Sequence, residues 1–232
     1  MWNRFSRYAL WMLMGAVLVG LSSCKKEGES YRFGVSYGNI VGSADSYHIV
    51  TDEGTNLYVV EGASATEVVD GQRVMANYSI EDRVETGYNI RLNFLYNILT
   101  KDPVFLSKIT WDERREIGDD PLNVRSMSFG GKYLNVNIEV MRKNPEVAHF
   151  INAVVDEQRS DDQTVYLTLT HNAYGDEASI PVAQWVSFDL STLVPAGQQQ
   201  INVYVEWTNY RGEECQDSGV FTLPSVSSDT SL

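Results

Sequence analysis

The run His171-Asn172-Ala173-Tyr174-Gly175-Asp176 gathers an imidazole, an amide, a phenol and a carboxylate within six positions. Converged on one point, those groups could hold a small polar ligand or move a proton. The same residue types also build turns. Asn172 and Gly175 tolerate left-handed backbone, so they are expected to carry the bend while Tyr174 leans on the adjoining sheet. Turn chemistry accounts for the composition, and the run stands as a candidate polar turn of His171, Asn172, Tyr174 and Asp176. The other histidines, His48 beside Tyr47 and Ile49 and His149 beside Phe150, read as packing or edge residues. The sequence contains no H-E-x-x-H, no paired-cysteine metal pattern, no EF-hand loop and no G-x-S-x-G elbow. No catalytic residue, metal or cofactor is therefore expected. A hydrolase would need two convergent acidic or nucleophilic groups that no motif announces.

A second set of candidates is aromatic. Tyr133, Tyr166 and Tyr204 fall on the solvent side of alternating segments, where they could stack on sugar rings or anchor a protein interface. Nucleic acid is a poor third ligand. Formal charge is −13, and residues 30–98 hold four arginines, no lysine and nine acids, which leaves no basic groove for a phosphate backbone. The paired acids Asp52-Glu53, Glu81-Asp82, Asp119-Asp120, Asp161-Asp162, Asp176-Glu177 and Glu213-Glu214 sit at turn positions and read as solvated loops.

The start of the chain says where these groups would work. Arg4 and Arg7 precede an uncharged apolar stretch from Tyr8 to Leu21, too short to span about 30 Å of hydrocarbon comfortably but suited to an export leader. Leu21-Ser22-Ser23-Cys24 follows and resembles the lipobox of bacterial lipoproteins, with small residues before the thiol that receives the lipid. Cleavage before Cys24 leaves 209 residues, and loss of the two leader arginines takes the charge from −13 to −15. Lys25 stands where an inner-membrane retention signal would place Asp, so the outer membrane is the expected destination. With Cys24 lipidated, Cys215 has no partner in the chain and the fold has no disulfide staple.

Period-two alternation dominates the elements that must position the candidates. Strands are expected near 31–41, 47–51 and 55–60, then across Val74, Ala76, Tyr78 and Ile80, with Arg73, Met75, Asn77 and Ser79 outward. A fifth strand turns Tyr88, Ile90, Leu92, Phe94, Tyr96 and Ile98 inward and Leu95 outward. Five strands in about seventy residues suit a small OB-like barrel. Residues 99–120 break the pattern and read as a linker, with Thr110 capping a short helix over Trp111–Glu116. Beyond it Leu134, Val136, Ile138 and Val140 alternate with Tyr133, Asn135, Asn137 and Glu139. Val165, Leu167 and Leu169, then Val186, Phe188 and Leu190, then Ile201, Val203, Val205 and Trp207 continue the theme. One wet and one buried face per strand argues for an antiparallel β-sandwich. The expected organisation is a leader 1–23, a tether 24–30, a barrel 31–98, a linker 99–120, a sandwich 121–224 and a tail 225–232, all-β throughout.

Several runs resemble the NigD-like lipoproteins of Gram-negative anaerobes: Asp70-Gly71-Gln72-Arg73-Val74 with Asn77-Tyr78, then Asn97-Ile98-Leu99-Thr100-Lys101 and Gly118-Asp119-Asp120-Pro121. Gly131-Lys132-Tyr133-Leu134-Asn135-Val136 and His171-Asn172-Ala173-Tyr174-Gly175-Asp176 complete the set in order. The resemblance spans nearly all of the chain after the leader. It implies an N-terminal OB-like domain, a C-terminal sandwich, a bacteriocin-associated background and no enzymatic activity. The expected role is therefore a non-enzymatic envelope lipoprotein, held to a membrane by lipid on Cys24 and binding a protein partner, with glycan binding as the alternative.

Overall fold

The computed structural model describes residues 32–44, 46–62 and 68–224. The expected leader, Cys24, the expected tether and the expected tail lie outside the described residues. Among those described, the strands β1 (Arg32–Ser43), β2 (Ser46–Thr51), β3 (Asn56–Gly62), β4 (Arg73–Val84) and β5 (Gly87–Asn97) close into a barrel ordered β1-β2-β3-β5-β4. Neighbours run antiparallel except β3 and β5, which are parallel because β4 crosses between them to pair with β1. Ile40, Ile49, Leu57, Val74, Ala76, Tyr78, Ile90 and Leu92 fill the interior, one alternate face from each strand. That is the OB-like barrel the alternation predicts.

The fifth strand departs from simple alternation. Asn77 pairs with Phe94 but Tyr78 pairs with Leu92, so Asn93 is an unmatched extra residue and the strand bulges there. A bulge shifts the phase by one position. Phe94 is therefore turned outward, 55% exposed, while Leu95 packs against the barrel core.

The second half is a sandwich. β8 (Asn123–Gly130), β9 (Tyr133–Arg142), β12 (Ile180–Asp189) and β6 (Leu99–Lys101) form one sheet, ordered β6-β12-β9-β8. β14 (Glu214–Thr222), β13 (Gln200–Thr208), β11 (Thr164–Asn172), β10 (Phe150–Val155) and β7 (Val104–Phe105) form the other, in that order. Leu134, Val136, Ile138, Leu167, Leu169, Phe188, Val203, Val205 and Phe221 interleave between them. Most pairings are antiparallel, but β11 and β13 are parallel because the chain leaves for the opposite sheet as β12 and then returns.

Two expectations for residues 99–120 part company. The helix α1 (Trp111–Ile117) forms as predicted, with a reciprocal cap in which the Glu113 amide donates to Thr110 Oγ1 and the Thr110 amide to the Glu113 carboxylate. Residues 99–105 are not linker, however. β6 pairs in parallel with β12 and β7 with β10, so this stretch crosses from the edge of one sheet to the edge of the other. Lys101 fastens the crossing by donating to the Ile151 carbonyl at 2.7 Å and to Asn152 Oδ1. Strands of three and two residues are too short to display a period in sequence.

The barrel and the sandwich meet over one buried ion pair. Arg73, expected outward, is 1% exposed. Its guanidinium donates twice to Asp52, at 2.5 and 2.7 Å, and to Asn135 Oδ1 at 2.8 Å and Asn39 Oδ1 at 3.1 Å. Asp52 and Asn135 were likewise expected in solvent, and both side chains are buried. The outward face at that end of the barrel is the face the sandwich covers. Gly130 permits the approach, since a Cβ there would stand 2.3 Å from the Asp52 carboxylate.

Candidate functional site

The His171–Asp176 run divides into two groups that do not converge. β11 alternates inward through Val165, Leu167 and Leu169, and the same phase carries His171 into the interior, 1% exposed. His171 Nδ1 lies 3.0 Å from the Pro121 carbonyl, and Nε2 lies 2.9 Å from Nδ1 of His149. His149 Nε2 in turn lies 3.2 Å from Asp176, which also accepts from the amides of Lys143 and Asn144. The result is a buried chain of carboxylate, imidazole, imidazole and carbonyl. A carbonyl and a carboxylate can only accept, so both outer nitrogens must donate. Bridging the two facing nitrogens then requires one further proton, which would give the pair a single positive charge opposite Asp176.

Burial and the second imidazole oppose that charge, whereas Asp176 favours it. Burial lowers the His171 pKa, and His149 adds to the effect against the opposing pull of the Pro121 carbonyl. Burial alone would raise Asp176, but the Lys143 and Asn144 amides and His149 outweigh it and hold the carboxyl below its ordinary range. His149, read from sequence as a packing residue, is the link that joins the two ends. It stands 22 positions before His171, and no local pattern ties the two together.

Asn172 and Tyr174 turn the other way, toward α1. Asn172 Nδ2 donates to the Glu116 carbonyl at 3.1 Å, and the Tyr174 hydroxyl donates to the Glu116 carboxylate. Tyr174, not Asn172, takes the left-handed backbone, with φ 50°, followed by Gly175. Asn172 remains the last residue of β11 and its side chain instead accepts from the Tyr174 amide at 2.9 Å, closing the turn. Gly118 admits this contact, because a Cβ there would meet the His171 carbonyl and Asn172 Cβ at 2.5 Å. The run is thus a fastening between β11, α1 and the 143–149 loop, not one polar pocket.

The tyrosines also separate. Tyr133 is buried, with the Arg73 guanidinium 4.1 Å from its ring centre and its hydroxyl 3.2 Å from Asn39 Nδ2. It was expected in solvent, but the barrel covers the start of β9. Tyr166 and Tyr204 do stand together. Parallel pairing of β11 and β13 sets them side by side, and their rings stack at 5.0 Å with a 16° tilt. The Arg159 guanidinium lies 4.1 Å over Tyr166 and donates to both oxygens of Glu206 at 2.8 Å. Beside them a groove of about 410 Å³ is lined by Arg159, Thr168, Glu206, Trp207, Cys215 and Gln216, among others. Neither Arg159 nor Glu206 was a sequence candidate, because 47 positions separate them and a fold is needed to bring them together.

Residues 37–98 match the profile of the NigD-like N-terminal OB domain, and residues 104–220 match that of the NigD-like C-terminal beta sandwich domain. The chain belongs to the NigD-like family. Among curated proteins nothing matches it. Solved structures share its fold. A NigD-like immunity protein from Bacteroides caccae is 20% identical, with a TM-score of 0.65, over 83% of this chain and 97% of that one. A protein from Parabacteroides distasonis described as toxin-related is 23% identical, with a TM-score of 0.67, over 82% and 94% of the two chains. A protein from Bacteroides fragilis described as a lipoprotein is 11% identical, with a TM-score of 0.59, over 84% and 100%.

The NigD-like runs read in the sequence meet at two places in the fold. Arg73, Tyr133 and Asn135 build the junction of barrel and sandwich, and Gly118, Asp120, Pro121 and His171 build the fastening around α1. Both are framework. The stacked tyrosines of this NigD-like chain, with Arg159 and Glu206, are a preformed surface that the framework does not use.

Proposed function

We propose that this chain is a non-enzymatic lipoprotein, tethered to the cell envelope through Cys24, that binds a protein partner through the outer face of its five-stranded sheet. The observation that carries the reading is the stacked pair Tyr166 and Tyr204 with Arg159 and Glu206 beside it. Tyr and Arg are the residue types that most often dominate interface energetics. Stacking and the two-pronged ion pair hold these side chains in place before a partner arrives, which lowers the ordering cost of association. The structural neighbours described as an immunity protein and as toxin-related favour a secreted polypeptide as that partner. A net charge of −15 after leader removal favours one with exposed basic groups. The lipobox-like Leu21-Ser22-Ser23-Cys24, the absence of Asp at position 25 and the fragilis neighbour support anchoring, at the outer membrane.

The test places a photo-crosslinking residue at Gln216, beside the tyrosines, in cells of the native type. A discrete adduct should form and should disappear in Tyr166→Ala and Tyr204→Ala variants that retain the native melting temperature. An adduct pattern indifferent to both substitutions would refute the assignment of this face. Glycan binding is the second reading, since two in-register rings beside a groove also suit a sugar face. Under that reading a glycan array shows a signal that Tyr204→Ala removes, and no protein adduct forms.

A further inference from the structure

The barrel carries a second unused surface, and it lies where the chain enters the fold. On the outer faces of β1, β4 and β5, Val35, Asn77 and Phe94 lie in one cross-strand row, and Tyr37, Met75 and Tyr96 lie in the next. Phe33 projects two residues before Val35 on the same face. Phe33 is 73% exposed, Val35 61% and Phe94 55%, and Tyr37, Met75 and Tyr96 are half-buried beside them. Isolated exposed apolar residues are ordinary, but a cluster of this kind marks an interaction site. The Asn93 bulge makes the cluster, because without its phase shift Phe94 would point into the core. Some of the polar groups within the patch are already engaged: Asn93 Nδ2 donates to Asn77 Oδ1 at 3.0 Å and Ser79 Oγ at 3.2 Å. Covering those three atoms removes little hydrogen bonding from water.

We propose that this barrel face docks on the surface of the membrane that holds Cys24, with zwitterionic phospholipid as its ligand. The inference rests on the lipoprotein reading above. Residues 24–31 number eight, so Arg32 can stand at most about 28 Å from the lipidated cysteine, and Phe33 is the next residue. A short tether holds the patch at an effective local concentration of order millimolar, at which a weak interfacial affinity suffices to keep it seated. The lipid class follows from the rim. Glu81 and Asp82 stand just beyond Ile80, the residue paired with Arg32, and Arg91 on β5 is already engaged with Glu61 and Glu81. Among the described residues the arginines at this rim, Arg32, Arg83 and Arg91, are matched by Glu61, Glu81, Asp82 and Glu85, so the rim carries no excess positive charge to attract an anionic surface. Seating this face orients the sandwich by a contact as well as by a leash.

The experiment uses the mature lipidated protein in phosphatidylcholine vesicles with acyl-brominated lipid. Phe33→Trp is compared with Val220→Trp, an exposed site on β14 of the sandwich. Phe33→Trp should lose several-fold more of its added fluorescence to the bromines, and replacing a third of the lipid with phosphatidylglycerol should narrow the difference. A companion triple variant, Phe33→Ser with Val35→Ser and Phe94→Ser, changes only exposed positions. In that background bromine quenching of the native tryptophan at 185, edge-on to Tyr37, should fall. Equal quenching of the two added tryptophans with Cys24 shown by mass spectrometry to carry lipid overturns docking alone. An unmodified Cys24 overturns the anchor and the proposal with it. A Cys24→Ser protein that sediments as a dimer, and as a monomer once Phe33 and Phe94 are serine, assigns the face to a second copy and overturns it too.

Discussion

Arg73 and Asp52 show how much one contact can decide in a protein of this kind. Removing one member of a buried pair strands the other charge away from water, at about 3–5 kcal/mol. Asp52→Asn should lower the urea-unfolding free energy by that amount, and pairing Arg73→Met with Asp52→Leu should cost less than the sum of the two single changes. The histidine chain gives a second residue-scale expectation, this time in pH. Because the His171 pKa is lowered on folding, the unfolded chain takes up its proton first as pH drops below 6.5. Stability should therefore decline with falling pH from 6.5 down to the folded value, and His171→Gln should remove that part of the slope. Asp176 acts in a lower window. Its carboxyl is also held below the ordinary 3.8, so its contribution is present above that value and is lost as pH falls through the folded one. Chemical denaturation at stepped pH reads both limbs.

At the scale of elements, α1 is the piece most dependent on local chemistry. It has seven residues, none of them buried, so its cap supplies what packing does not. Thr110→Ala should destabilise it by about 1 kcal/mol, seen as faster amide exchange across 111–117 with little change in the barrel. The cap was legible because Thr110 and Glu113 act on neighbours three apart. The strands were legible for a comparable reason, since burying one face imposes a period of two on residue choice. Phe94 and Leu95 mark the limit of that logic. A bulge adds one residue and inverts the pattern beyond it, and nothing in the letters Asn93-Phe94-Leu95 announces the insertion. β6 and β7 escaped for lack of length.

Across the whole molecule the barrel and the sandwich share the polar junction of Arg73, Asp52, Asn39, Asn135 and Ser187, packed against Tyr133. The described residues form one compact unit. Thermal unfolding should accordingly run as a single cooperative transition, with calorimetric and van't Hoff enthalpies in agreement. Asp52→Asn should uncouple the two halves, and a scan of that variant should resolve two transitions. A wild-type scan that already splits would show that the junction contributes little to cooperativity. The same junction turns one end of the barrel away from solvent, leaving the Phe33, Val35 and Phe94 face and the Tyr166 and Tyr204 face as separate open surfaces.

Composition, alternation and turn chemistry by themselves determined the all-β class, the five barrel strands, the sandwich, the capped helix and the family resemblance. Each depends on interactions between residues close in sequence, or on the average need to bury one face of a strand. Tertiary structure alone decided which polar residues went inside. Arg73 and Asn135 follow the period expected of solvent-facing positions and Asp52 stands in a turn, but that side met another domain instead of water. It alone brought His149 to His171 and Arg159 to Glu206, across separations at which sequence order says nothing about distance. A period reports that a strand has two faces, and the packing of the whole chain decides what each face meets.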